Sequence, residues 1–222
     1  MADALRKSLN LVSANLIMRD SVTPDSVRLL AGEMGIDTNK ILPVPALALG
    51  AAEIPLYEMV QAYGTFANHG LRLKPMMITR IEDANGKVIL ENSPIPIEQQ
   101  KRVLSIEEAD LMNHLMKKVV EDGTAKKLVY KYGLEFDIAG KTGTSQNNSD
   151  GWFIGYTNDL VAGAWVGAET PAVHFKSLEL GQGASTALPI WGSFMEKLVH
   201  DPKYAYIAES KFPEYCDSVK TV

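Results

Sequence analysis

The sequence contains very little cysteine: Cys216 is the single one among 222 residues. A lone cysteine forms no internal disulfide, and it has no second cysteine at the short spacing of a cysteine-ligated metal site. The four histidines, His69, His114, His174 and His200, form no His-Glu-x-x-His pattern and no close pair. We therefore expect neither a disulfide framework nor a metal site, and we expect no cofactor.

Long apolar runs and a strong excess of one charge are also lacking. No segment is apolar over the length that a membrane-spanning helix needs, and the first residues show no signal-peptide pattern. The net charge of −5 and a pI of about 5.4 indicate no basic surface for nucleic acid and no membrane-binding surface. The apolar fraction of 46% is typical of a folded protein, and 222 residues suffice for one large domain or two small ones.

The first residues run directly into an amphipathic segment. This start favours a piece of a longer parent, and a native start stays open. The hydrophobic periodicity then predicts helices separated by two groups of strands. The predicted helices are Ala4–Arg19 and those beginning at Thr23-Pro24, at Pro55, at the capping box Ser105–Glu108 and at Pro189.

The predicted strands form a hairpin and a three-strand meander. The hairpin strands, Met77–Glu82 and Lys87–Leu90, flank an Asn85-Gly86 turn. The meander starts at Lys141 and continues through Trp152–Tyr156 and Leu160–Val166. Because strands and helices do not alternate regularly, the order favours an α/β (α+β) fold with an antiparallel sheet flanked by helices. The apolar residues of the stretch Asp201–Val222 show no helical or strand periodicity, and we expect a loosely packed tail.

The most informative stretch is Gly140-Lys141-Thr142-Gly143-Thr144. Glycine on both sides of a lysine lets another molecule approach the strand backbone closely, which is how a strand edge binds a ligand. The alternative is an ordinary strand end with a solvated lysine. A phosphate-binding loop is excluded, because position 135 is Glu135 rather than glycine and because a turn and a strand, not a helix, follow.

Two Ser-x-Asn triplets, Ser8-Leu9-Asn10 and Ser13-Ala14-Asn15, lie near the N-terminus. Each alone is a weak signal, since serine and asparagine on helices are usually solvated or capping residues. Combined with Lys-Thr-Gly, however, Ser-x-Asn accompanies a Ser-x-x-Lys nucleophile motif in penicillin-binding proteins and class A β-lactamases. The chemistry of such a set is coherent, because a cation and hydroxyls at a strand edge suit a ligand that ends in a carboxylate.

Longer stretches resemble the transpeptidase domain of class A (bifunctional) penicillin-binding proteins. The resemblance covers roughly Ala2 to His200 and selects Ser8-Leu9-Asn10 as the family's Ser-x-Asn triplet. The stretches that carry the resemblance are Leu47–Glu53, Met59–Gly70, Val119–Ala125, Ala139–Ser145, Asp150–Tyr156 and Ala162–Gly167.

The resemblance implies a β-lactamase/D,D-transpeptidase-like fold and a role for each motif residue. Ser8, Asn10 and Lys141 would be catalytic: Ser8 relays a proton, Asn10 holds a substrate amide and Lys141 supplies positive charge. The substrate-binding residues would be Thr142, Gly143 and Thr144. The hydroxyls of Thr142 and Thr144 would bind a carboxylate, the Thr144 N–H would face an oxyanion, and Gly143 would leave the groove open.

The implied partners are peptidoglycan stem peptides and β-lactam antibiotics, with no nucleic acid. The implied parent is a cell-wall cross-linking enzyme on the extracytoplasmic, periplasmic face of the inner membrane. It would carry a glycosyltransferase domain and a membrane anchor upstream, and any membrane attachment would run through that anchor.

One element of the family's pattern is absent from these 222 residues. No serine is followed by lysine three positions later; Thr124-Ala125-Lys126-Lys127 has the spacing, with threonine, but lies after the second motif. The resemblance therefore implies that the nucleophile, its helix and the first strands of the sheet precede Met1, and that this chain alone is inactive. A non-catalytic penicillin-binding sensor, a serine β-lactamase and a structural domain without chemistry stay open as alternatives.

Overall fold

Three antiparallel strands form the centre of the fold in the computed structural model, which describes residues 1–19 and 22–214. Five strands are found in these residues: β1 (Arg80–Glu82), β2 (Val88–Glu91), β3 (Ala139–Thr144), β4 (Gly151–Tyr156) and β5 (Val161–Val166). The α-helices are α1 (Ala2–Lys7), α2 (Asn10–Ile17), α3 (Pro24–Glu33), α4 (Leu56–Ala67), α5 (Ile106–Asp122), α6 (Lys127–Tyr132), α7 (Leu178–Gly181), α8 (Ala187–His200) and α9 (Tyr206–Glu209). Short 3-10 turns include Thr38–Lys40 and Pro45–Leu49.

The three-strand sheet has the order β3-β4-β5, so the predicted meander is confirmed and β3 lies at an edge. In its register Lys141 lies opposite Ile154, and Gly143 lies opposite Trp152. Because side chains alternate along a strand, Lys141, Ile154 and Trp152 share one face of the sheet. That face carries the groove described below.

Helices cover both faces of this sheet. On the face of Ile154, a Cβ added to Gly163 would meet Val60 of α4 at 2.6 Å. On the opposite face, the Trp191 ring of α8 packs edge-on against Phe153, with 5.2 Å between ring centroids. The predicted antiparallel sheet flanked by helices is therefore confirmed. None of the helices in the described part of the chain has the length and hydropathy to cross a bilayer.

Two helix starts follow the rules that the sequence suggested. At α5 the Glu108 backbone N–H donates to the Ser105 hydroxyl at 3.1 Å, and the Ser105 N–H donates to the Glu108 carboxylate at 2.8 Å. At α3, Thr23 caps the helix and Pro24 occupies the first turn. Both starts are therefore encoded locally.

The N-terminal helix differs from the expectation of one helix over Ala4–Arg19. It is broken at Ser8, whose φ of 55° and ψ of 52° are left-handed, and a second helix begins at Asn10. The predicted hairpin exists but is shorter, with a register shift between Ile81 and Glu82. The C-terminal helix begins at Ala187 rather than Pro189, which a helix tolerates because proline in the first turn removes no intrahelical hydrogen bond.

The segment after His200 is better packed than expected. Ile207 is 3% exposed and Phe212 is 7% exposed. The Phe212 ring meets Tyr156 edge-on at 5.6 Å, and its N–H donates to the Asp137 carboxylate at 3.1 Å. Ile207 and Phe212 thus dock into the core, unlike the side chains of a loose tail, whereas the other residues of 201–214 are exposed or partly exposed. Residues 215–222, with Cys216, lie outside the described residues.

Gly140 is required by packing rather than by backbone freedom. A Cβ at this position would lie 2.8 Å from the Ile154 carbonyl oxygen and 2.9 Å from Cζ of Phe153. We expect Gly140→Ala to lower the free energy of unfolding by about 1–3 kcal/mol, the usual cost of overpacking. Urea denaturation measures this change.

Gly64→Ala is the matched control, since the nearest atom to an added Cβ is Leu73 Cδ1 at 3.8 Å. Alanine there should be neutral or stabilising by up to about 1 kcal/mol, because it favours helix over glycine. Equal stability losses in the two variants would contradict this account of Gly140.

Candidate functional site

A largely apolar groove of about 410 Å³ lies along β3, on the sheet face that Lys141 and Ile154 share. One wall is the strand itself, from Lys141 to Ser145, and the opposite wall comes from α3, the Pro45–Leu49 turn and α4. Tyr63 of α4 lines the groove, and burial raises the pKa of its hydroxyl to about 12. Tyr63 therefore stays neutral, so its phenol brings no charge to the groove at neutral pH.

Lys141, which lines this groove, contacts Ser8. The Lys141 Nζ donates to the Ser8 hydroxyl at 2.7 Å and to the Thr142 carbonyl oxygen at 2.9 Å. Ser8 reaches the lysine because it leaves α1 in the left-handed conformation, which few non-glycine residues adopt. The break in the predicted helix thus falls on the residue that contacts the strand, and backbone strain of this kind often accompanies a functional site.

Burial lowers the pKa of the Lys141 ammonium from 10.5 to about 8. No carboxylate forms an ion pair with Lys141 within the described residues. The lysine therefore keeps its charge for a ligand near neutral pH, and it becomes a neutral amine at mildly alkaline pH. A group that can pass between these states suits both the binding of an anion and the transfer of a proton with Ser8.

We expect the side chain of Lys141 to titrate near pH 8 rather than near 10.5. Because its folded pKa lies below the unfolded value, the folded state loses this proton first, and this group makes stability rise between about pH 8 and 10.5. The same loss of charge should weaken the binding of a carboxylate ligand above pH 8. A ¹³C-detected NMR titration of the lysine Cε resonances, assigned with Lys141→Met, measures the midpoint; a midpoint above 10 would contradict the burial described here.

Thr142, Gly143 and Thr144 form the middle of the strand wall. The Thr142 hydroxyl lies 2.7 Å from the Thr124 hydroxyl, and the Thr144 hydroxyl accepts the Gly183 N–H at 3.1 Å. Each threonine hydroxyl keeps hydrogen-bonding capacity for a ligand. By strand alternation both side chains leave on the face opposite Lys141, so a ligand that meets all three must lie along the strand edge.

Gly143 faces the groove beside Trp152. A Cβ added to Gly143 would lie 3.1 Å from the Trp152 Cβ, closer than most real contacts. A larger residue would therefore crowd this part of the wall.

Of the two Ser-x-Asn triplets, the structure brings the first to β3. Asn10 begins α2 and is exposed, and its side chain makes no hydrogen bond with the described part of the chain. In the second triplet, the Asn15 amide donates to the Leu11 carbonyl of its own helix at 3.0 Å. Ser8 and Lys141 are in contact, whereas the side chain of Asn10, two residues after Ser8, has no hydrogen-bond partner among the described residues.

Sequence reasoning missed the residues that hold the turn after β3. The Asp150 carboxylate accepts the Trp165 indole N–H at 2.9 Å and the hydroxyls of Ser145 and Ser149 at 3.0 and 3.1 Å. The sequence marks this region only as a polar turn. Ser145 and Ser149 are neighbours of Asp150 in the sequence, whereas Trp165 comes from β5 and no local pattern links it to Asp150.

The site therefore combines a strand-edge cation, flanking hydroxyls and a helix-break serine beside an apolar groove. The chemistry of such a set suits an anionic ligand, because a cation and hydroxyls can donate charge-assisted hydrogen bonds. In agreement, the sequence model of the penicillin binding protein transpeptidase domain matches residues 1–171. The chain belongs to the penicillin-binding protein transpeptidase family.

Curated relatives include two proteins named penicillin-binding protein 1A. The one from Aquifex aeolicus (strain VF5) is 35% identical over 193 residues, which is 87% of this chain and 25% of the relative. The one from Neisseria meningitidis serogroup A is 30% identical over 197 residues, 88% of this chain and 24% of the relative. The chain thus spans about a quarter of the length of these relatives.

Solved structures share the fold. Penicillin-Binding Protein 1A from Haemophilus influenzae superposes with a TM-score of 0.78 at 25% identity, over 90% of this chain and 34% of that chain. The PonA1 protein from Mycobacterium tuberculosis, solved in complex with penicillin V, gives a TM-score of 0.75 at 21% identity, over 97% and 59% of the two chains. At this identity the second likeness concerns the fold alone.

Proposed function

We propose that this chain forms one wall of the cleft of a D,D-transpeptidase, an enzyme that cross-links peptidoglycan stem peptides. The observation that carries the proposal is the 2.7 Å contact between the Lys141 Nζ and the Ser8 hydroxyl at the edge of β3. The two groups come from motifs 133 positions apart, and they meet beside a groove that is open to a ligand. Membership of the transpeptidase family supports the same assignment.

In this proposal the strand edge binds the D-alanyl-D-alanine end of a stem peptide. The Lys141 ammonium and the hydroxyls of Thr142 and Thr144 hold the terminal carboxylate, since charge-assisted hydrogen bonds are the strongest available. The Thr144 N–H stabilises the oxyanion, and the Asn10 amide holds a peptide group of the substrate. Ser8, next to Lys141, passes a proton.

The nucleophile is a serine in a part of the protein outside these 222 residues. Its oxygen attacks the carbonyl of the penultimate D-alanine, and the C–N bond to the terminal D-alanine breaks. The terminal residue leaves as the free amino acid with the serine's proton, and an ester remains. An amine of a neighbouring stem peptide then attacks this ester, which forms the cross-link and returns a proton to the serine.

A β-lactam would acylate the same serine through its ring amide. Two related structures support this expectation, since PonA1 was solved in complex with penicillin V and penicillin-binding protein A from M. tuberculosis was solved as an imipenem acyl-enzyme complex. We further propose an upstream glycosyltransferase domain and membrane anchor, which would place the domain on the extracytoplasmic face of the inner membrane. The quarter-length coverage of the relatives leaves room for both.

The binding half of the proposal can be tested on this chain. We expect N-acetyl-D-alanyl-D-alanine to shift the amide resonances of residues 141–144 and 8–10 in ¹⁵N-resolved NMR spectra. The L,L peptide is the control and should shift them less. Shifts that are absent, or that cluster away from β3, would overturn the proposed site.

We expect this chain alone to form no covalent penicillin adduct. The reason is that no serine in it is followed by lysine three residues later. Incubation with a fluorescent penicillin and a denaturing gel test this expectation. A labelled band that excess unlabelled penicillin removes would show that a nucleophile is present in these 222 residues.

A further inference from the structure

Ser8 and Lys141 are connected a second time, through the C-terminal end of α5. A chain of contacts runs from Arg6, two residues before Ser8, to the segment 122–124, and from there to Thr142, the residue after Lys141. Together with the Ser8–Lys141 hydrogen bond, these contacts close a ring. The proposed transpeptidase role uses neither Arg6 nor Thr124.

Arg6 fixes the end of α1 to the end of α5. Its Nη1 donates to the Asp122 carbonyl oxygen at 3.2 Å and also contacts the Asp122 carboxylate. In return the Thr124 N–H donates to the Arg6 carbonyl oxygen at 3.3 Å. The two backbones lie so close that a Cβ added to Gly123 would be 2.7 Å from this oxygen.

Thr124 fixes the same segment to β3. Its hydroxyl lies 2.7 Å from the Thr142 hydroxyl. The Thr142 carbonyl oxygen accepts the Lys141 ammonium at 2.9 Å. Residue 142 is therefore held through its side chain by Thr124 and through its backbone by Lys141.

The ring matters because α1 cannot hold Ser8 in place by itself. This helix has six residues, far fewer than the roughly 12–15 that an isolated helix needs for marginal stability. Ser8 also adopts a strained left-handed conformation, which persists only where the surrounding structure imposes it. Contacts outside the helix must therefore set where the Ser8 hydroxyl lies.

We propose that Arg6 and Thr124 are positioning residues for the Ser8–Lys141 pair, which they align by tying α1 and β3 to the same three residues at the end of α5. Neither residue needs to touch substrate in this role. The geometric claim stands on the contacts above, whereas its consequence for catalysis rests on the proposed function.

The test breaks the ring at two independent points in this chain. Thr124→Val keeps the shape of the side chain and removes the hydroxyl, while Thr124→Ser keeps the hydroxyl. Arg6→Gln removes the guanidinium on the opposite side of the ring. The readouts are the NMR titration midpoint of the Lys141 side chain and the dissociation constant for N-acetyl-D-alanyl-D-alanine.

We expect Thr124→Val and Arg6→Gln each to raise the Lys141 midpoint by about half a pH unit or more, because a less restrained lysine is better hydrated. Both substitutions should raise the dissociation constant of the peptide about fivefold or more, since one lost hydrogen bond contributes about 1 kcal/mol. The dissociation constant of the Thr124→Ser variant should stay within about twofold of that of the unsubstituted chain. If Thr124→Val does not fold, Arg6→Gln alone decides the outcome.

Two controls separate positioning from a general loss of stability. Arg80→Gln removes ion pairs to Glu82 and Glu91 in the hairpin. Thr157→Val removes the hydroxyl that accepts the N–H groups of Asp159 and Leu160, so it should lower Tm. Neither should move the Lys141 midpoint.

An unchanged midpoint in both ring variants, or an equal change in Thr157→Val, would overturn the positioning role. If the ring variants move the midpoint but the parent chain binds no peptide, the proposed function fails while the positioning role holds. If the peptide binds but the ring variants change neither the midpoint nor the dissociation constant, the positioning role fails while the proposed function holds.

Discussion

Replacing Lys141 by methionine is expected to weaken the binding of N-acetyl-D-alanyl-D-alanine to this chain by about 10- to 100-fold. A hydrogen bond to a charged group contributes about 1.5–3 kcal/mol, and 1.4 kcal/mol corresponds to a factor of ten. Methionine keeps the length and apolar body of the side chain, so the partly buried site stays filled. NMR titration of the Gly143 and Thr144 amides gives both dissociation constants.

The carboxylate-free peptide, N-acetyl-D-alanyl-D-alanine amide, completes a double-mutant cycle for Lys141. The amide should bind the unsubstituted chain about as weakly as the peptide with a free carboxylate binds the Lys141→Met variant. Lys87→Met, at an exposed position of the hairpin, is the matched control and should bind the acid normally. Equal affinity of the acid for the parent chain and Lys141→Met would mean that the lysine does not hold the carboxylate.

Trp191→Ala is expected to cost about 3–5 kcal/mol of unfolding free energy, as large aromatic truncations in cores do. Trp191 is 2% exposed, and its indole N–H donates to the Ala162 carbonyl oxygen at 3.0 Å. Its ring packs edge-on against Phe153. The truncation therefore leaves a cavity between α8 and the sheet and removes the hydrogen bond to the partly buried Ala162 carbonyl.

Ile190→Ala, one residue earlier on α8, is the control for Trp191→Ala. Ile190 is 54% exposed, so its loss should change stability by no more than about 1 kcal/mol. Chemical denaturation followed by circular dichroism measures both variants. Similar losses at the two positions would contradict the assignment of Trp191 to the core.

The sheet could be predicted from the sequence because its signals are local. Apolar strand patterns around a polar turn gave the β3-β4-β5 meander, and Ser105 with Glu108 gave the start of α5. The Asn85-Gly86 turn located the hairpin, although its first strand proved shorter and its second begins and ends one residue later than predicted. In each case the determining residues lie within a few positions of one another.

The arrangement around Ser8 could not be predicted from local pattern. Residues 4–19 have helical periodicity throughout, and nothing nearby indicates a break at a serine. The break is accompanied by a contact with Lys141, 133 positions away, so tertiary interaction overrides local propensity. Lys-Thr-Gly and Ser-x-Asn were recognisable as motifs and the family resemblance selected Ser8, but only the fold shows how Ser8 reaches the strand.

The packing of Phe212 was missed for a similar reason. The last residues have no periodic apolar pattern, so the sequence indicated a loose tail. In the structure a single aromatic side chain docks against Tyr156, and its backbone N–H finds the Asp137 carboxylate. One well-placed residue can anchor a segment that has no secondary-structure signal of its own.

The most direct test of the central claim, that β3 and Ser8 form one wall of a transpeptidase cleft, is penicillin labelling of the longest polypeptide that the gene encodes. We predict a covalent fluorescent adduct with that polypeptide, removed by excess unlabelled penicillin and reduced at least about tenfold by Lys141→Met. A folded, unlabelled polypeptide, or labelling that Lys141→Met leaves unchanged, would contradict the claim.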